Sequence, residues 1–159
     1  MVPSASLWRS LPRALGTRKK PSHERNPLVP ELVVNNYKIS KRFYTEMFGF
    51  NLSFERPEDR FGYFDLGGAQ IMLLQSPGAD IYQINRTGPN GKGLHFQIEL
   101  NSISELISCL QAASIPLASE ITEEWHRAGE IVHGQREFFV ADPDGYLYRF
   151  FEYIGERAA

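Results

Sequence analysis

The chain has 159 residues and a mass of 18.1 kDa, the size of one compact domain or of two small halves that share a core. It is 42% hydrophobic and 23% charged, which fits a folded globular protein and excludes a disordered one. No apolar run approaches the roughly 18 residues of a membrane helix. The single cysteine, Cys109, excludes an internal disulfide framework, so we expect a reducing, cytoplasmic compartment.

Charge is distributed unevenly along the chain. Residues 1–22 contain five basic residues and no acidic ones, whereas the remainder keeps 12 of the 17 basic residues and all 19 acidic ones, a net charge of −7. This balance argues against a nucleic acid partner, because neutralising phosphates needs a basic face. It favours a cationic small molecule, since an acidic surface concentrates cations near it.

We predict that residues 1–27 form a flexible basic arm. Their arginine-rich, acid-poor composition is typical of an organelle transit peptide. A disordered leader, or a start codon placed too far upstream, explains the same composition. The folded domain is then expected at residues 28–159.

The first half of this domain, about 29–76, changes periodicity in the order strand, helix and three strands. Val29–Val34 is predicted as a strand, and Asn36 is placed to cap a helix whose apolar face is Ile39, Phe43 and Met47. The three strands that follow are predicted at Asn51–Glu55, Phe61–Leu66 and Ala69–Gln75, with Gly67-Gly68 as the turn between the last two.

The same order repeats over about 94–153, after a connection rich in glycine and proline. A strand at Leu94–Leu100 precedes a helix that begins with a capping box of Ser102 and Glu105. Further strands are predicted at Pro116–Ile121, Gln135–Ala141 and Tyr146–Tyr153, the last two joined by the turn Asp142–Gly145. Two tandem βαβββ modules in one pseudo-symmetric domain predict an α+β fold.

These modules resemble the glyoxalase/bleomycin resistance/dioxygenase superfamily, also called vicinal oxygen chelate proteins. The resemblance rests on Phe43-Tyr44 before Gly49 and on the segment from His133 to Phe138 that leads into Asp142–Gly145. It spans residues 28–153 and implies curled mixed sheets that form a cleft, with the helices on the convex side. Because this fold is used by enzymes and by pure binding proteins, function must be argued from the site.

Enzymes of the superfamily hold a metal on four cleft-facing positions, which the resemblance places here at Val29, Leu73, His95 and Arg149. Two apolar residues and a cation are poor ligands for a divalent ion. We therefore expect no metal and no other cofactor. This pattern resembles the bleomycin resistance branch, whose members are dimers that sequester a bulky cationic drug in clefts shared by two chains.

Aromatic and acidic residues are expected to line such a cleft. Phe61 and Tyr63 alternate with Asp65 onto one strand face, and Trp125 adds a third ring for stacking and cation–π contact. We expect Glu31 or Glu99 to pair with Arg149, because a lone charge in an enclosed cleft is costly. The full set of expected ligand-binding residues is Glu31, Phe61, Tyr63, Leu73, His95, Gln97, Trp125, His133 and Arg149.

Two hypotheses follow. The first is a metal-free homodimer that sequesters a bulky cationic antibiotic or related small-molecule ligand in clefts at the dimer interface and has neither nucleic acid nor membrane as a partner. The alternative is a metal-dependent lyase or dioxygenase that rebuilds its site from His95, Glu31 and a substrate oxygen. The ligand stays open, because His133 stands where antibiotic binders often have tryptophan.

Overall fold

The computed structural model describes residues 25–76 and 90–159. The predicted arm lies outside the described residues except for its last three, and so does most of the connection between the modules. The elements in chain order are β1 (Glu31–Val34), α1 (Tyr37–Glu46), β2 (Asn51–Arg56), a 3₁₀ turn (Pro57–Asp59), β3 (Phe61–Leu66), β4 (Ala69–Gln75), β5 (His95–Glu99), α2 (Ser104–Ala112), β6 (Thr122–Ala128), β7 (Ile131–Ala141) and β8 (Leu147–Ala158).

The strands form two four-stranded sheets with the same topology. The first sheet has the order β1-β4-β3-β2 and the second the order β5-β8-β7-β6. In each sheet the first strand runs parallel to the last, whereas the other neighbours are antiparallel. The predicted α+β fold of two βαβββ modules is confirmed.

Helix α1 begins as predicted but buries a different face. The side chain of Asn36 accepts a hydrogen bond from the backbone N–H of Ile39, so the predicted cap is confirmed. The buried residues are Tyr37, Ser40 and Tyr44, while Ile39 is 56% exposed. The predicted apolar stripe was wrong at Ile39. The buried face carries hydroxyl groups instead, and those of Ser40 and Tyr44 donate hydrogen bonds to the buried Asp144 and Asp142.

Helix α2 lacks the predicted capping box. Its first turn is held instead by Glu152 of β8, whose Oε2 accepts a 2.8 Å hydrogen bond from the N–H of Ile103. Its buried residues are Leu106, Ile107 and Leu110. Ser102 still takes part, because its Oγ accepts a 3.3 Å hydrogen bond from the N–H of Ser104, so a local hydroxyl and a distant carboxylate together satisfy donors at the start of this helix.

The strands of the second module are displaced from their predicted positions. Residues 116–121 form no strand, and β6 begins only at Thr122. Strands β7 and β8 extend beyond the prediction, to Ile131 at the start of β7 and to Ala158 at the end of β8. Every residue of β6 is exposed, so this strand extends the sheet beyond the core.

One core joins the helix-facing sides of both sheets. Leu32 and Leu73 of the first sheet share it with Tyr148 and Phe150 of the second and with Tyr44 of α1. Side chains on the opposite side of each sheet point away from the helices, and we call these the outer faces. The first outer face includes Glu31, Val33, Phe54, Phe61, Tyr63 and Met72; the second includes His95, Gln97, Glu99, Glu137, Phe139 and Arg149.

Candidate ligand-binding site

The second outer face carries the predicted polar residues on neighbouring strands. Gln97 of β5 pairs directly with Arg149 of β8, and His95 pairs with Leu147. His95 and Gln97 are both exposed. The residues that flank Arg149 in sequence, Tyr148 and Phe150, are fully buried on the other side. Arg149 therefore lies on the outer face, as a cleft-facing position requires.

Arg149 is held on this face by two acceptors and a ring. Its Nη1 donates a 3.2 Å hydrogen bond to Oε1 of Glu137, and its Nη2 donates to Oε1 of Gln97. The guanidinium carbon lies 5.6 Å from the centre of the Phe139 ring. These contacts fix a cation at the centre of the sheet surface.

The partner of Arg149 differs from the prediction. Glu137 forms the ion pair, rather than Glu31 or Glu99. The register explains this result, because Phe139 lies directly opposite Arg149 and places Glu137 at the diagonal position two residues away. Glu137 lies two residues after Gln135 on β7, so period-two alternation places both side chains on the same face of the strand. Sequence reasoning did not use this alternation to find the partner of Arg149.

The ion pair is largely removed from solvent. Glu137 is 5% exposed, and within residues 25–76 and 90–159 its Oε2 has no hydrogen-bond partner; the same holds for Nε of Arg149. The ring of His95 meets the Phe139 ring edge-on, with 5.5 Å between centroids. This arrangement combines a buried charge pair with an accessible imidazole and amide at its margin.

The first outer face carries the predicted aromatic stripe, but arginines of the same chain cover it. The Arg56 guanidinium carbon lies 3.9 Å from the centre of the Phe61 ring. Arg25 lies 5.7 Å from the Tyr63 ring and 5.6 Å from Phe54. Phe61 and Tyr63 are consequently only 3% and 4% exposed. Cation–π contacts are therefore present on this face, but the cations are arginine side chains of the same chain.

Leu73 is not on the outer face. It is fully buried in the core and pairs with Leu32 and Gly62. The two-residue turn at Gly67-Gly68 sets this register, because it places Met72, rather than Leu73, opposite Tyr63. The prediction for Leu73 was wrong by one residue, although the outer-face neighbours Met72 and Leu74 are equally apolar.

Trp125 also points away from the predicted site. It pairs with Gly134, whereas its neighbour Glu124 pairs with Gln135 on the side of Glu137. Because side chains alternate, Trp125 lies on the opposite surface of this hairpin. There the Arg157 guanidinium carbon lies 4.2 Å from its ring centre. Trp125 therefore lies on a different surface of this chain from His95, Gln97 and Arg149.

His133 and Glu31 lie at the margins of the two outer faces. His133 has its Nδ1 3.8 Å from Oε2 of Glu156 and its ring 6.1 Å from that of Tyr153. Glu31 is exposed at the start of β1, opposite Met72 of β4. The structure thus brings His95, Gln97 and Arg149 together on the second outer face. His133 lies farther along the sheet, where it pairs with Glu156 near the end of β8.

The donor set does not suit a resident metal ion. Arg149 supplies a guanidinium bonded to Glu137, and the β4 residue directly opposite Tyr63 is the apolar Met72. In the part of the chain that the structure describes, no three His, Cys, Asp or Glu side chains come together as metal ligands. Nor does any helix of that part have the length and apolarity needed to cross a membrane.

The family assignment rests on a sequence match as well as on the fold. The model of the Glyoxalase/Bleomycin resistance protein/Dioxygenase superfamily matches residues 26–150. The chain belongs to this superfamily. No curated protein matches the sequence significantly.

Solved structures of this superfamily fold include proteins of different described roles. A virulence protein from Salmonella typhimurium is 20% identical, with a TM-score of 0.58 over 83% of this chain and 100% of that one. A lactoylglutathione lyase from Agrobacterium tumefaciens is 22% identical, with a TM-score of 0.53 over 84% and 95%. A fosfomycin resistance protein from Listeria monocytogenes is 14% identical, with a TM-score of 0.56 over 82% and 94%. At these identities the comparison shows a shared fold.

Proposed function

We propose that this superfamily member is a metal-free binding protein of the bleomycin resistance type, which sequesters an organic ligand on the outer faces of its sheets. The observation that carries the proposal is the position of Arg149. By the family resemblance this residue stands where enzymes of the superfamily have a metal ligand. Here its guanidinium is bonded to Glu137 and Gln97, and a fixed cation repels a metal ion.

The chemistry of the two faces favours a ligand with aromatic and cationic groups. The first face offers the rings of Phe54, Phe61 and Tyr63, which already hold guanidinium groups. The second offers the exposed amide of Gln97 and imidazole of His95. Rings stack on flat ligand groups, while the polar groups orient them.

We further propose that the protein acts as a cytoplasmic homodimer, with ligand clefts built from both chains. Strand β6 supports this proposal, because it forms one edge of the second sheet and each of its residues is exposed. An open edge strand of this kind is a surface on which a second chain can pair. Sedimentation at micromolar concentration tests the assembly, and a monomer that binds ligand with full affinity would refute the shared cleft.

Calorimetric titration with a bleomycin-type glycopeptide, before and after treatment with a chelator, tests the binding function. We expect the same affinity in both states, and a loss of about tenfold in Arg149→Gln, equivalent to one polar contact, because the guanidinium no longer holds the amide of Gln97 in place on the outer face. Arg42→Gln is the matched control, since Arg42 pairs with Glu46 on the exposed surface of α1. A stoichiometric metal whose removal abolishes binding or turnover would overturn the proposal.

A further inference from the structure

A pair of parallel rings forms a flat platform on the first outer face. Phe54 of β2 and Tyr63 of β3 lie directly opposite each other, with ring centroids 5.2 Å apart and an angle of 15° between the planes. A bulge at Ser53 makes this pairing, because Leu52 pairs with the core residue Phe64 and the next pair is Phe54 with Tyr63. Without the extra residue, Phe54 would point to the same side as Leu52.

The platform is fixed by polar neighbours. The hydroxyl of Tyr63 donates a 2.7 Å hydrogen bond to Oε1 of Gln70, and Nε2 of Gln70 donates to Oδ2 of Asp65 at 2.9 Å. The other oxygen of Asp65 accepts from the N–H of Gly68. A carboxylate beside two stacked rings adds negative potential to the face of an aromatic surface that already attracts cations.

Arg25 occupies this platform from the same chain. Its guanidinium carbon lies 5.6 Å from the Phe54 ring centre and 5.7 Å from that of Tyr63, so it sits over both rings equally. Asn26 fastens the segment: its N–H donates to Oε1 of Gln70 at 2.7 Å and its Nδ2 donates to the carbonyl of Gly68 at 2.6 Å. Arg25 and Asn26 are both exposed.

We propose that the Phe54–Tyr63 platform is a binding place for a small organic cation, a guanidinium or an alkylammonium, and that Arg25 is a built-in competitor that such a ligand displaces. The inference rests on the proposed function, for which it names a ligand class and a subsite. An exposed cation over a ring is bound weakly, and exposed hydrogen bonds such as those of Asn26 exchange readily with water. Displacing Arg25 and Asn26 from the platform therefore costs little free energy.

Space beside the platform suits the rest of such a ligand. A cavity of about 430 Å³ adjoins it, within the size range of small-molecule sites. Its lining consists of Asn26, Ser53, Phe54, Tyr63, Asp65, Gly68 and Gln70. A ligand whose cationic head lies on the rings would place its polar body beside Asp65, and it would take over the contacts that Asn26 makes now.

The test compares wild type with Arg25→Gln, using N-acetyl-argininamide as the probe. Calorimetry and the NMR shifts of the Tyr63 ring measure the affinity. Because a tethered group competes at an effective concentration of millimolar or more, we expect the variant to bind the probe at least about fivefold more tightly than wild type. N-acetyl-citrullinamide, a neutral compound of the same shape, should bind neither protein. Arg42→Gln removes the same charge from α1 and should leave the affinity unchanged.

Two further variants define the platform. In the Arg25→Gln background, Phe54→Leu and Tyr63→Leu should each abolish binding of the probe; the half-buried Phe54 serves if the Tyr63 variant fails to fold. Equal binding by wild type and Arg25→Gln, or no binding by either, overturns the inference. The glycopeptide titration of Arg149→Gln is independent of this result, so a failure here is distinguishable from a failure of the proposed function.

Discussion

The hydroxyl of Tyr44, in the helix of the first module, donates a 2.7 Å hydrogen bond to Oδ2 of Asp142, in the turn before the last strand of the second module. The Tyr148 hydroxyl lies 3.0 Å from that of Tyr44. The second acid of the turn, Asp144, accepts from Oγ of Ser40 at 2.9 Å. The turn that the sequence predicted as a simple hairpin connection thus joins the two modules.

Tyr44→Phe tests this junction. The substitution leaves Oδ2 of a carboxylate that is only 5% exposed without its donor. We expect a loss of about 1–3 kcal/mol in the free energy of unfolding, the cost of an unsatisfied buried group. Denaturant titration measures it. Tyr153→Phe is the control, since the exposed Tyr153 hydroxyl donates a 3.3 Å hydrogen bond to Oε2 of the exposed Glu156 and its loss should be near neutral. Equal effects of the two changes would contradict a special role for Tyr44.

Asp142 should make the protein less stable as pH rises through mildly acidic values. Burial raises the pKa of its carboxyl from 3.8 to about 6 in the folded protein. Between these two pKa values the folded state holds a proton that the unfolded state has released. The stabilisation of the folded protein by this proton is therefore fully present below pH 4 and is lost as pH rises through 6. Its full size is about 3 kcal/mol at 1.36 kcal/mol per pKa unit.

Asp142→Asn removes that titration. Its side-chain oxygen can still accept from the N–H groups of Asp144 and Tyr146, as Oδ1 does now. We expect the slope of unfolding free energy between pH 4 and 6 to flatten in this variant. Asp59→Asn, at an exposed site paired with Arg56, should keep the wild-type slope. An unchanged slope in Asp142→Asn would assign the pH dependence to other groups.

Arg149→Ala should destabilise the protein by about 3–5 kcal/mol, because it leaves the buried Glu137 without its cation. The double variant Arg149→Met/Glu137→Gln should recover much of that loss, since no uncompensated charge remains. The exposed pair of Arg42 and Glu46 provides the reference cycle, with an expected coupling of about 0–1 kcal/mol. A neutral Arg149→Ala would mean that the guanidinium is solvated.

Trp125→Phe should leave the affinity for a bleomycin-type glycopeptide within about twofold of wild type, a difference well below the tenfold of one lost contact. The reason is its position on the hairpin surface opposite Glu137, where it contacts Arg157. The titration used for Arg149→Gln measures both variants. A tenfold loss in Trp125→Phe would return this ring to the ligand site.

Local pattern determined much of the fold. The alternation of Phe61, Tyr63 and Asp65 identified β3 and its two faces, and the glycine pair 67–68 identified the hairpin to β4. The same hairpin contained the information that corrects Leu73, since a two-residue turn fixes which residue lies opposite Tyr63. These features depend on neighbours in sequence, so a sequence is sufficient to predict them.

Only the tertiary structure decided which side chains meet on the outer faces. A bulge turned Phe54 toward Tyr63, and the pairing of β7 with β8 gave Arg149 its partner Glu137. The platform of Phe54 and Tyr63 was completed by Arg25, nearly thirty residues away from Phe54 along the chain. Period-two counting holds along an unbroken strand, but one extra residue reverses it and strand register selects the partners. Sequence thus determined the strands and their polarity, while packing determined the contacts that make a site.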